Sequence, residues 1–304
     1  MEPRRDPRIE AAIRAVGAWH GHDVSVTPVS IGDDERHFLV EVDQDLFILR
    51  LTSLASDRPQ VDTTSELEVA RAAASAGVAP DVTASLPQLG CLITRFAPGR
   101  RLAPADLERD DVLTSLVGSV RALHSCPPPG AERSAFREAR DLRRAALARG
   151  MPMPPSEPAA TEAIRSIEAA AATPGRPTVT IHGDLTTSSL FLDGDRVWIV
   201  DYRWAGAGDP FEDLGGLAEH LALTPERRDA MLRLYFGAID QVSRSRVMLM
   251  RMAAAYLAAM RTLSWSPPRS SAQAARAARQ LADVAAASAD GRSGRWVGAL
   301  EPAG

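Results

Sequence analysis

The sequence predicts an α+β fold, a small antiparallel sheet followed by a mainly helical body. Three observations carry that expectation. Short apolar or alternating runs bounded by turn residues crowd the first hundred positions, at 24–31, 38–42, 46–51 and 90–96, and read as strands. Apolar residues at helical spacing dominate from position 110 onwards. Between the helices sits one hairpin, 180–192 returning through 197–200. Strands gathered apart from helices give the α+β class.

Residues 7–21 form a short amphipathic helix with Ile9, Ala12, Ile13, Val16 and Trp19 on one face. Strand 24–31 leads into a polar turn holding one glycine, Gly32, and three successive acids, Asp33, Asp34 and Glu35. Strands 38–42 and 46–51 are joined by Asp43, Gln44 and Asp45. Residues 62–76 form a helix closed by Gly77, with Pro80 beyond. Within it Ser65 and Glu68 have capping-box spacing. The run 90–99 is a strand entering a turn at Pro98 and Gly99.

Helices are expected at 110–124, 135–149 and 161–172, the first with Leu113, Leu116, Val117, Val120 and Leu123 inward. His124, at its end, reads as a capping or packing residue. Past the hairpin, helices are expected at 211–223, 225–241, 243–263 and 271–287, and the tail 290–304 is expected to be poorly ordered.

The 304 residues allow one large domain or two lobes with ample core. With 35 basic against 39 acidic residues, the net charge of −4 makes no case for nucleic acid or a membrane surface. No apolar run is long enough to span a bilayer, and the first six residues lack a signal-peptide core. Cys91 and Cys126 have no metal-ligand spacing and suit a reducing, cytoplasmic setting. The chain contains no Lys and no Asn, so any site that favours either must use something else.

The hairpin carries the chemistry. Asp184 lies in its first run, within His182-Gly183-Asp184-Leu185, and Asp201 lies at the end of its second. The turn at Asp193, Gly194 and Asp195 folds the two acids towards each other. Such acids can be simple turn residues. A close pair also suits phosphoryl transfer, one carboxylate orienting a hydroxyl and the other holding magnesium. Kinase catalytic loops place a metal-binding Asn five residues after the catalytic Asp, and here that position is Ser189.

His182-Gly183-Asp184-Leu185, then Ile199-Val200-Asp201-Tyr202, then the run 208–214 resemble, in order, the aminoglycoside phosphotransferase and choline kinase superfamily. The run 201–206 most resembles its choline kinase branch. The resemblance implies a two-lobed protein-kinase-like fold, N-lobe 1–98 and C-lobe 99–304, with ATP and Mg²⁺ as cofactors. It implies Asp184 as the catalytic residue, Asp201 with Ser189 at the metal, and Asp213 as a brace for the catalytic loop.

For the nucleotide it implies a covering loop at Gly32, although three acids there would repel phosphates if they pointed inward. Arg50 would contact the phosphates and Glu66 would pair with it, although Glu68 competes for that role. Thr94 to Phe96 would be the hinge against adenine. Glu219 matches a substrate-side carboxylate of the choline kinase branch, with a solvated helix residue as the other reading.

The acceptor side departs from that branch. Arg203 stands where an acid is usual, and Ala258 and Arg261 stand where cage tryptophans would, with Tyr256 and Trp265 nearby. If Arg203 and Arg261 face the cleft, the small-molecule alcohol or amino-alcohol acceptor shifts towards a neutral or anionic alcohol. The reading is an ATP-dependent phosphotransferase. The alternative, kept open by Ser189 and the acidic turn, is a kinase-fold binding module with little catalysis.

Overall fold

The computed structural model describes residues 6–29, 36–52, 62–172, 177–264 and 270–300. Gly32, its acidic neighbours and Trp265 lie outside them.

Helix α1 (Pro7–Ala15) opens the chain under an Asp6 cap. Strands β1 (Val24–Val29), β2 (Arg36–Val42), β3 (Asp45–Leu51), β4 (Val82–Leu86) and β5 (Cys91–Arg95) form one antiparallel sheet in the order β1-β2-β3-β5-β4. Side chains alternate across a strand, and here the alternation divides labour. Val40, Phe47, Leu49, Leu51 and Ile93 face α1 and Trp19, building one core. The intervening His37, Leu39, Ile48, Arg50, Leu92 and Thr94 face the other way, into a cleft.

Helix α2 (Thr63–Ser75) follows the third strand. Its cap is Asp62, whose carboxylate accepts from Thr64 N and Ser65 N, so the Ser65–Glu68 capping box expected from spacing does not form. Asp62 also takes the Ser65 hydroxyl at 2.8 Å, which removes the capping oxygen that Glu68 would have complemented. The buried Val69, Ala70 and Ala73 of α2 belong to the larger core of the second lobe, not to the sheet's core.

That second lobe runs from the two-residue strand β6 (Arg100–Arg101) through α3 (Asp110–His124), α4 (Ala135–Ala148) and α5 (Glu157–Ala171). Strands β7 (Val179–Ile181), β8 (Leu190–Asp193), β9 (Arg196–Ile199) and β10 (Gly206–Gly208) follow, and helices α6 (Pro210–His220), α7 (Pro225–Phe236), α8 (Gln241–Leu263) and α9 (Ser271–Ala289) complete it. The hairpin β8–β9 forms as expected, extended by β6, while β7 pairs with β10. Helices α6 and α8 pack backbone to backbone at Gly215, where a Cβ would lie 2.5 Å from the Met250 carbonyl carbon.

The architecture is the bilobed, protein-kinase-like one. The segment from 290, expected to be poorly ordered, instead forms α10 (Arg292–Gly298). Trp296, Val297 and Leu300 pack against the main core, and that apolar burial outweighs the local Gly and Arg content. Among the described residues, no helix is long and apolar enough to cross a membrane.

Candidate active site

Asp184 and Asp201 each sit on a loop at an end of the β8–β9 hairpin. Asp213, in the first turn of α6, holds the first loop. Its buried carboxylate accepts His182 N at 2.7 Å, Gly183 N at 2.8 Å and His124 Nε2 at 3.0 Å. Burial by itself would raise this carboxyl; the hydrogen bond and charge of His124 outweigh it and hold Asp213 below the usual carboxylate range. His124 completes the brace through a 2.7 Å hydrogen bond between its Nδ1 and the Tyr235 hydroxyl.

His182 ties the two loops together. Its Nδ1 accepts the Asp184 amide at 3.2 Å, which assigns the ring proton to Nε2, the donor to Val200 O at 3.0 Å. Val200 N donates to Ser189 O at 2.9 Å. Both contacts lie one residue before Asp201, so the two loops are tied by one ring-to-backbone and one backbone bond that use neither acid's carboxylate. Gly183 has φ +76°, and a Cβ there would meet Trp204 O at 2.4 Å; only glycine fits between His182 and Asp184.

Asp201 also lies in the left-handed region, with φ +70°, a conformation that non-glycine residues keep at some cost and typically at functional sites. Arg203 Nη2 donates to its Oδ2 at 2.8 Å. Oδ1 is buried and has no hydrogen-bond partner. Burial would raise the Asp201 carboxyl, but the Arg203 guanidinium, and then Arg50, hold it well below its ordinary value. An ionised, unpartnered oxygen on a residue that lines a cleft fits a hard cation.

Ser189 does not share that position. Its buried hydroxyl accepts Thr186 N at 3.0 Å and points to Asp184 O and Thr186 O at 3.2 and 3.1 Å. A hydroxyl is short, and in this loop the nearest groups it can satisfy are the loop's own backbone. Among the described residues no cluster of three or more His, Cys, Asp or Glu side chains forms a ready-made metal site, so a magnesium ion would rest on Asp201, phosphate oxygens and water.

The cleft between the lobes encloses about 270 Å³. Leu39, Ile48, Leu92, Phe96 and Phe191 line it together with Arg50 and Asp201. Arg50 forms a buried ion pair with Glu66 of α2, and Thr94 and Phe96 both reach the cavity. Two amides of the stretch expected to meet adenine are already occupied: Arg95 N donates to Asp81 O at 2.8 Å and Phe96 N to Leu46 O at 2.9 Å. A base seated here would meet carbonyls and apolar side chains at these positions rather than those two N–H groups.

Asp184 opens instead onto a second cavity of about 30 Å³, between α6, α8 and the start of α4. Arg261 spans it. Its Nη1 donates to Asp184 Oδ1 at 2.6 Å, its Nε to Glu138 Oε1 at 2.8 Å, and its Nη2 reaches Gly183 O at 3.4 Å. Burial would lower the guanidinium's pKa, but Asp184 and Glu138 together raise it, so the group stays charged. Ala258 lines the same wall. Tyr256 does not: its hydroxyl meets Thr161 Oγ1 at 2.7 Å within the core.

Glu219 is not at this cavity; it pairs with Arg251 at 2.9 Å. Helical geometry gives the reason. Seven residues from Asp213 return to the same face and six do not, so His220, not Glu219, joins Asp213 and Gly216 in the lining. Burial first pushes the His220 imidazole below its ordinary range. Arg133, Glu138, Glu212 and Trp204 at or beside the cavity also escaped sequence reasoning. They lie in loops and on helix ends that converge from distant parts of the chain. The heptad offset could have found His220; nothing periodic marks the others.

A model of the phosphotransferase enzyme family matches residues 25–249. The chain belongs to that family. Solved structures agree on the fold of this phosphotransferase-family chain. A choline/ethanolamine kinase family protein from Mesorhizobium loti superposes with TM-score 0.79 at 22% identity, over 97% of this chain and 98% of its own. LicA in complex with AMP superposes with TM-score 0.75 at 14% identity, over 93% and 99%. Protein LicA of Haemophilus influenzae is 32% identical over 54 residues, which spans 18% of this chain and only 20% of that protein.

Proposed function

We propose that this chain transfers the γ-phosphoryl group of ATP to the hydroxyl of a small molecule. One observation carries the reading: the interlobe cleft is apolar along Leu39, Ile48, Leu92 and Phe191 yet also holds Arg50 and Asp201. That division suits a nucleotide, whose base is flat and apolar on its faces and whose phosphates are charged. The AMP held by LicA supports the same assignment.

In this reading Arg50, fixed by Glu66, contacts the phosphates. Asp201 would hold Mg²⁺ through its unpartnered Oδ1, and the metal would supply positive charge against that developing on the transferring phosphoryl group. Asp184 orients the acceptor hydroxyl and takes its proton. Asp213 keeps Asp184 in place by holding the amides of His182 and Gly183. Thr94 and Phe96 contact the base through carbonyl and ring. Gly32, expected to cover the phosphates, lies outside the described residues.

A second reading, a binding module with little catalysis, is favoured by the two arginines that already hold both acids, Arg203 on Asp201 and Arg261 on Asp184. Calorimetry with Mg·ATP, paired with ADP release over a panel of small alcohols, separates the two. Nucleotide binding with no turnover on any acceptor would favour the module, and no nucleotide binding would overturn the phosphotransferase reading.

A further inference from the structure

The acceptor cavity is a balanced set of charges with one movable member. Asp184 is held by Arg261; Glu138 is shared by Arg261 and Arg133. Of the other lining carboxyls, Asp213 is taken up by His182, Gly183 and His124, and Glu212, pushed up by burial to about 8, carries little charge near neutrality. No acid in this lining is left over for an ammonium group. The aromatic face that could stack on one is also taken, since Trp204 has the Arg261 guanidinium at 4.6 Å and that of Arg133 at 5.1 Å.

The hydroxyl acceptor also faces a conflict that its own chemistry must resolve. Asp184 Oδ1 is the oxygen bound by Arg261 at 2.6 Å. A neutral alcohol that drew Asp184 away would leave a half-buried guanidinium short of its counter-charge, which is costly. A carboxylate can replace Asp184 on that guanidinium with the same planar, charge-assisted geometry. We propose that Arg261 is an anion seat and latch: the acceptor is a small hydroxy acid whose carboxylate takes Arg261 and thereby releases Asp184 to the adjacent hydroxyl.

Space agrees with this. At about 30 Å³ the cavity has room for roughly two waters. Ala135, Ala254 and Ala258 contribute short side chains to its lining, beside the larger Leu185, Met250 and Leu257. Displacement of the long Arg261 side chain is therefore what opens room for an acid of a few carbons. The step rests on the phosphoryl-transfer reading above. The acid's hydroxyl oxygen bonds to the γ-phosphorus of ATP, and the bond from that phosphorus to the bridging oxygen breaks. ADP leaves with the electron pair, and the hydroxyl proton passes to Asp184.

Calorimetric titration of glycerate, 3-hydroxybutyrate and malate, with glycerol and choline as neutral and cationic counterparts, tests the seat with and without Mg·AMP-PNP. At least one acid is expected to bind more tightly than both counterparts. Arg261→Met should weaken that acid by on the order of tenfold to a hundredfold without weakening glycerol. Asp184→Asn, which removes the competitor for Arg261 but not the seat, should tighten it several-fold. A purely structural Arg261–Asp184 bridge predicts no such gain, so this variant decides even if Arg261→Met fails to fold. Choline or glycerol binding best, or no gain in Asp184→Asn, overturns the proposal. Acid binding that survives where Mg·ATP does not bind would sink the phosphoryl-transfer reading and leave the seat standing.

Discussion

Arg203 Nη2 donates to Asp201 Oδ2 at 2.8 Å, which puts a fixed cation on the carboxylate proposed to hold magnesium. Like charges a few ångströms apart repel by about 1–4 kcal/mol at intermediate dielectric. Arg203→Met should therefore lower the half-saturating Mg²⁺ for nucleotide binding by about tenfold, and Asp201→Ala should abolish the Mg²⁺ dependence. A magnesium titration of nucleotide-induced thermal stabilisation reads both. An unchanged midpoint in Arg203→Met would show that the guanidinium swings clear when the metal arrives.

Asp184→Asn should reduce ADP release with the best acceptor by roughly a hundredfold or more, the scale of general-base loss. The thermal response to Mg·ATP should persist, because Asp184 lines the acceptor cavity and not the interlobe cleft. Wild-type turnover in this variant would remove the loop's assigned role.

Asp213 is buried and accepts from three donors, so Asp213→Ala should cost about 3–5 kcal/mol, read as a fall in the denaturant midpoint. The pH dependence has a definite sign. The folded-state pKa is depressed, so its stabilisation is complete above the ordinary value of about 3.9 and is lost as pH falls through the folded value. Asp213→Asn should flatten that acid limb; an unaltered limb would place the loss elsewhere.

Glu212 works in the opposite sense. Its folded-state pKa is raised to about 8, so the folded state keeps a proton that the unfolded chain releases near the ordinary glutamate value. Its contribution is fully present below about 4.3 and is lost as pH rises towards 8. Glu212→Gln, whose carbonyl can still accept Ala135 N, should raise the melting temperature at pH 8 and leave it unchanged at pH 4. Equal shifts at both pH values would show that ionisation is not the cause.

Gly183→Ala should be costly out of proportion to its one added carbon. The residue sits at φ +76° with Trp204 O 2.4 Å from the new Cβ. The αL penalty alone is about 1–2 kcal/mol, and relief of the clash would shift the Asp184 loop. A loss of turnover larger than the loss of stability is expected from paired kinetic and thermal measurements.

The sequence by itself determined the order of the lobes, the β8–β9 hairpin and the position of its two acids. Those features are local: alternation, helical period and turn chemistry each act within a few residues. The brace at Asp213 came from the family resemblance and not from any local pattern, and its carboxylate takes the amides of His182 and Gly183. What the Asp184 and Asp201 carboxylates touch was decided only by the tertiary structure. Arg261 reaches Asp184 across 77 residues and Glu138 across 123, and Ser189 turns into its own loop instead of towards Asp201. An arginine has the same codeable charge whether it faces solvent or a catalytic acid; the difference lies in the packing of α6 on α8 at Gly215 and in the face a helix presents after seven residues rather than six. Such contacts join elements that no local pattern relates, so they become legible only when the helices are in place.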